Sequence, residues 1–193
     1  MRPEFSGVRM RPRLHLTMFT AINFIFREFF SICLLQSKPQ DLPVSNNLLS
    51  LCLVIYTAEN VLLAQHKVTL FKAVAASLLE TLLVTVITLV ILGLSNRAAR
   101  WRQTLTALIG TGCIMGLVAL PIFYGSILAG TDALRAIIFL LYAVLLVWNI
   151  MVMSHILRHA LDTSFAFGVI FALTYIFITS ILVHLVIPEL DSA

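Results

Sequence analysis

The sequence predicts an all-α integral membrane bundle: five transmembrane helices preceded by an amphipathic helix lying in the membrane interface. Three observations predict it. Of 193 residues, 60% are hydrophobic and 11% charged, against roughly 25% charged in soluble domains. Mean hydropathy is +1.01. Five apolar stretches approach or exceed the roughly 20 residues needed to cross a bilayer, and short polar connections separate them. A water-soluble core has no room for so many apolar side chains, so lipid must act as the solvent.

The elements follow in chain order. Residues 1–17 carry Arg2, Arg9, Arg11 and Arg13 and are read as a basic, disordered tail. No small-residue cleavage site follows a compact apolar core, so a removable signal peptide is not expected. Residues 18–36 open with an apolar run that should not span. Arg27 and Glu28 sit in its middle, where a charge costs about 3 kcal/mol at the bilayer centre. Thr20, Asn23, Arg27 and Ser31 fall at steps of 3, 4 and 4 along one helical stripe, with phenylalanines over much of the rest. This suits a helix lying in the interface, or one whose apolar face packs on the bundle.

Residues 37–47, "SKPQDLPVSNN", form a corner. Pro39 and Pro43 lack an N–H and bias the preceding residue away from helix. Ser45 or Asn46 can cap the first span. Residues 48–188 form the membrane domain, with spans expected at Leu48–Ala64, Leu70–Leu94, Leu105–Ala129, Ala133–Met153 and Phe165–Val186. Pro121 should kink the third. Residues 189–193 form a short external tail.

The bases set the topology. With the N-terminus inside, ten of the thirteen Lys and Arg fall on the inner side, leaving Lys67, Lys72 and Arg135 outside, as the positive-inside rule favours. The net charge of +4 is spread over short segments, so no nucleic-acid partner is expected. Cys33, Cys52 and Cys113 match no metal spacing and read as small buried hydrophobes.

Three stretches carry a family resemblance: "SKPQDLPVSNNLLSLCLVIY", "RWRQTLTALIGTGCIMGLVALP" and "VWNIMVMSHILRHALDTSFAFGVIFALTY". The chain resembles the bacterial branch of the Yip1 domain family, which implies an N-terminal helix, a proline-bearing corner and five spans. The eukaryotic members act in vesicle traffic and bind small GTPases through a soluble N-terminal region. No such region is expected here, and the tyrosine- and glycine-containing signatures are not found, so the trafficking role is not carried over. The expected location is a bacterial inner membrane, N-terminus cytoplasmic and C-terminus periplasmic.

Glu59 and Glu80 are the leading site candidates, because an ionisable group inside a span is functional by default. Counted from the outer turn at 1.5 Å per residue, Glu59 lies about 10 Å deep, Glu80 about 18 Å and Lys72 about 6 Å. Lys72 is therefore the expected partner of Glu59, while Glu80 has no base at its depth and should be uncharged. Ser77, Thr81, Thr85 and Thr88 continue the Glu80 face. They suggest a proton or ion path, or polar contacts between helices. Asn149 can hydrogen-bond across to a neighbouring span.

At the inner ends, His155, Arg158 and His159 with Arg97, Arg100 and Arg102 are expected to form a rim touching lipid headgroups. Gly112-x-x-x-Gly116 and Gly168-x-x-x-Ala172 are small-residue packing seams. No H-E-x-x-H, G-x-S-x-G or phosphate-binding loop occurs. The chain is therefore read as non-enzymatic, with no cofactor or metal. Its expected role is a scaffold or accessory subunit of a larger membrane assembly, with lipid and a protein partner or a second copy as contacts. The alternative is a small transporter or proton- or ion-conducting protein using Glu80 and Glu59.

Overall fold

The computed structural model describes residues 18–186; the tails expected at 1–17 and 189–193 lie outside the described residues. Among the described residues there are six α-helices and no strand. They are α1 (Met18–Cys33), α2 (Asn46–Ala64), α3 (Leu70–Leu94), α4 (Trp101–Leu128), α5 (Asp132–Leu161) and α6 (Phe165–Val186). Helices α2 to α6 are each long and apolar enough to cross a membrane, so the chain is a multi-pass membrane protein.

The starts and stops follow local chemistry. Ser45 caps α2, its hydroxyl accepting from the Leu48 N–H at 3.3 Å, and Thr131 caps α5 by accepting from the Leu134 N–H. Asp162 ends α5 in the left-handed conformation, φ 54°, which Asp adopts more readily than most residues. Pro121 lies inside α4, which runs on to Leu128. Replacing Ser45 with Ala leaves an orphan donor at the start of α2 and should cost about 1 kcal/mol. Chemical denaturation in detergent measures this, and an unchanged midpoint would show that the cap is idle.

The five spans close into a ring. Helix α2 packs on α3 and α4, α4 on α5, α5 on α6, and α6 returns to α3. Helix α4 is the hub: half of its most apolar stretch is buried, against 11% for α5. Short connections make most consecutive spans neighbours; the long-range steps are the extensive packing of α2 on α4 and the closing contact of α6 with α3.

Helix α5 outruns the bilayer furthest. The 30 residues of α5 extend about 45 Å at 1.5 Å per residue, against a hydrocarbon core of about 30 Å. Sequence hydropathy ended the fourth span at Met153, where lipid-compatible composition stops. The helix continues eight residues to Leu161, because His155, Arg158 and His159 are good enough helix residues once they have partners. At that same end α4 buries Thr104 through Thr111 without a break, and α5 buries Ser154, His155, Ile156 and Leu157. These ends of α4 and α5 thus form a protein-packed cap.

Helix α1 lies against this cap and uses both of its faces. Phe29, Ile32 and Cys33 are buried, while Phe24, Phe26 and Phe30 stay exposed. The Phe29 ring occupies the space that a side chain at Gly110 would need, and the Trp148 indole N–H donates to the Cys33 carbonyl at 2.8 Å. Of the polar stripe, Asn23 and Arg27 are exposed and Ser31 is half-buried; the Thr20 side chain is outside the described residues.

The proline corner is a latch. Pro39–Asp41 makes one 3-10 turn, and Pro39 and Leu42 are buried. Gln103 of α4 donates to the carbonyls of Gln40 and Leu42, and Gln40 donates to the His159 carbonyl at 2.7 Å. The corner therefore joins α1 to the α4–α5 end instead of looping through water.

Candidate functional site

All five spans contribute to one cavity of about 320 Å³. Its polar wall is made by Tyr56 and Asn60 of α2, Glu80 of α3, Tyr142 and Asn149 of α5, and Tyr175 of α6. Tyr56, Glu80, Tyr142 and Tyr175 each lie ten residues into their helices, about 15 Å along the axis. Helix α3 runs opposite to α2, and α5 opposite to α6. Equal depth from opposite ends puts the polar wall near the middle of a core about 30 Å thick.

Glu80 is the one carboxyl of this wall, and no Lys, Arg or His lines it. The Tyr56 hydroxyl donates to Glu80 Oε1 at 3.1 Å, tying α2 to α3. The amide Nδ2 of Asn60 is buried without a hydrogen-bond partner. Asn149, expected to bond across to another span, instead shares the cavity with Glu80.

Glu59 is placed otherwise than expected. It is 6% exposed, and its carboxylate turns to α4, where Oε2 lies 2.7 Å from the position of a Cβ on Gly116. Its Oε1 has no hydrogen-bond partner, and no ion pair joins it to Lys72 among the described residues. Depth along the membrane matched the two residues; the angle around the helices did not, because Gly116 opens a space on the α4 side. Gly112 does the same for Tyr56, whose ring lies 2.9 Å from the Cβ position. The Gly112–Gly116 seam is thus the seat of α2, and it holds Tyr56 against Glu80.

The hydroxyl ladder on α3 is satisfied within its own helix. Ser77, Thr81, Thr85 and Thr88 each donate to the carbonyl four residues back in their own helix. One contact leaves the helix, Thr81 with Thr57 of α2 at 2.9 Å. None of the four lines the cavity. Backbone carbonyls within reach satisfy these hydroxyls, which a pattern of polar residues alone does not reveal.

The basic rim is also corrected. His155 is 3% exposed, and its Nε2 meets the Ser37 carbonyl at 3.0 Å; its ring lies edge-on to His159. His155 belongs to the corner latch and does not face headgroups. Arg97 and Arg100 both pair with Asp162, at 2.6 and 3.0 Å, and Arg100 also reaches the His159 and Ala160 carbonyls at the end of α5. Arg102 lies over Trp101, and Arg158 over Phe165. The sequence reading missed Asp162, although its place in a "LDTS" turn between two helices was the available signal.

The Asp162 carboxyl is held below the usual carboxylate range by the Arg100 hydrogen bond first, then by the charges of Arg100 and Arg97. A depressed folded-state value means that the clasp stabilises above the unfolded carboxylate range, about pH 4, and is lost as pH falls through the folded value. Asp162→Asn keeps a residue suited to the left-handed turn while removing the charge. The variant should melt lower than wild type at pH 7, and the two should converge below about pH 4. Equal melting at pH 7 would show the clasp to be inert.

Tyr56, Asn60, Tyr142 and Tyr175 were not singled out from sequence. Their signal was depth: membrane tyrosines favour the interfaces, and three of the four in this chain lie mid-span. Compared with known proteins, the chain matches no protein-family model, no curated protein and no solved structure.

Proposed function

We propose that this chain is a non-enzymatic protein of a bacterial inner membrane that takes a small solute or proton at Glu80 and carries it across the bilayer. The observation that supports this reading is the midplane cavity: a single carboxyl faces 320 Å³ of space walled by all five spans. A carboxyl serving only to join helices needs no such space. The cavity volume falls within the range of small-molecule sites, about 300–1,000 Å³. The accessory-subunit reading has one observation in its favour, the largely unburied surface of α5, which suits a partner subunit as well as lipid. Membership of the bacterial Yip1 branch is part of the proposal and is compatible with either role. So is the orientation with the N-terminus cytoplasmic.

The test replaces the three buried cysteines, Cys33, Cys52 and Cys113, and introduces single cysteines for labelling by a small water-soluble thiol reagent in membranes. Asn149→Cys should react, whereas Leu140→Cys, on the lipid-facing side of α5 with 62% of its surface exposed, should not. Cysteines in residues 97–102 and 158–163 should be protected from reagent added outside. An inert Asn149→Cys removes the solute route, and a stoichiometric protein partner on native purification would favour the accessory subunit.

A further inference from the structure

The lining chemistry narrows what the cavity takes. One carboxyl and no basic side chain complement a single positive charge, the acid giving up its proton as the cation enters, and offer nothing to an anion. Divalent cations demand several oxygen ligands, commonly more than one carboxylate, and among the described residues no three His, Cys, Asp or Glu gather. A bare alkali ion would leave most of 320 Å³ to water, at about 30 Å³ per molecule. Three tyrosine rings line the same space, and an aromatic wall beside a carboxylate attracts weakly hydrated organic cations through the ring faces. The unpartnered Asn60 Nδ2 adds a buried donor in that wall, which a ligand oxygen would satisfy.

From these observations, and resting on the reading of the cavity as a solute site, we infer that it binds a small organic monocation, a substituted ammonium bearing a hydroxyl or carbonyl oxygen. Glu80 supplies the counter-charge, Tyr56, Tyr142 and Tyr175 the aromatic wall, and Asn60 the hydrogen bond to the oxygen.

Choline is a suitable probe, and 3,3-dimethylbutan-1-ol is its uncharged carbon isostere. Calorimetric titration of the full chain in lipid nanodiscs should show choline binding at least about tenfold tighter than the isostere, the range of hydrogen bonds and contacts to a charged group. Glu80→Gln should remove that preference. Tyr175→Leu should weaken choline about tenfold, while Tyr175→Phe, which keeps the ring face, should stay near wild type. Asn60→Leu should weaken choline but leave tetramethylammonium, which has no oxygen, unchanged. Melting curves of each variant separate lost binding from lost folding, and the Phe variant tests the ring with the least change in shape. Equal binding of choline and its isostere, or no choline binding by a folded chain, overturns the cation assignment. If the Asn149→Cys variant still labels in that case, the proposed solute site stands and only its ligand class falls; if it does not label, both fall.

Discussion

Liposomes containing the wild-type chain are expected to dissipate an imposed pH gradient, and Glu80→Gln liposomes to hold it as empty liposomes do. The amide keeps the shape of the acid and can still accept from the Tyr56 hydroxyl, which lies 3.1 Å from Glu80 Oε1. Stability should therefore fall by about 1 kcal/mol or less, the range of interhelical hydrogen bonds in membranes. An amide cannot bind and release a proton, so flux should drop to background. Loss of flux at unchanged melting temperature separates a titrating group from a structural one. Gradient decay through the Gln variant at the wild-type rate would return Glu80 to a joining role, whereas a wild-type chain that holds the gradient would remove the proton as cargo and leave the organic solute.

Much of the fold could be read from the sequence, because lipid imposes a length rule. The bounds of α3 and α6 coincide with the apolar runs, since those helices end where water begins. The rule fails where protein replaces lipid. Helix α5 passes its apolar limit by eight residues because the corner latch and Arg100 satisfy its end. The candidate site was half legible. Depth is a one-dimensional quantity, and it singled out Glu80, which the structure puts ten residues into α3 and in the cavity wall. Which helix a side chain faces is an angular quantity, set by where small residues let a neighbour approach. That is why Glu59 turned to Gly116 and not to Lys72, and why the tyrosines around Glu80 went unnoticed. The arginines of the rim were legible as bases, but not the single aspartate that gathers two of them.

The largest structural loss is expected at Gly168. A Cβ there would lie 2.5 Å from the Ser154 carbonyl oxygen of α5 and 3.3 Å from the Arg158 Cβ. The first neighbour is backbone inside a helix and cannot swing aside as a side chain can. Ala172, one turn on, is fully buried, so α6 is held close to α5 along this whole seam. Gly168→Ala must push the two helices apart, and overpacking of this kind costs about 1–3 kcal/mol, with Gly168→Val at or beyond the upper end. The shift would also move Tyr175, two turns along α6, away from the cavity it lines, so solute binding should weaken with stability. Gly93 is the control. Nothing lies within 4 Å of its Cβ position, and it sits in the last turn of α3 without a positive φ, where Ala is the better helix former by up to about 1 kcal/mol. The same Gly→Ala change should therefore lower the melting temperature at Gly168 and raise or preserve it at Gly93. A Gly168→Ala chain that melts with wild type would mean that α5 and α6 do not approach as closely as this seam requires.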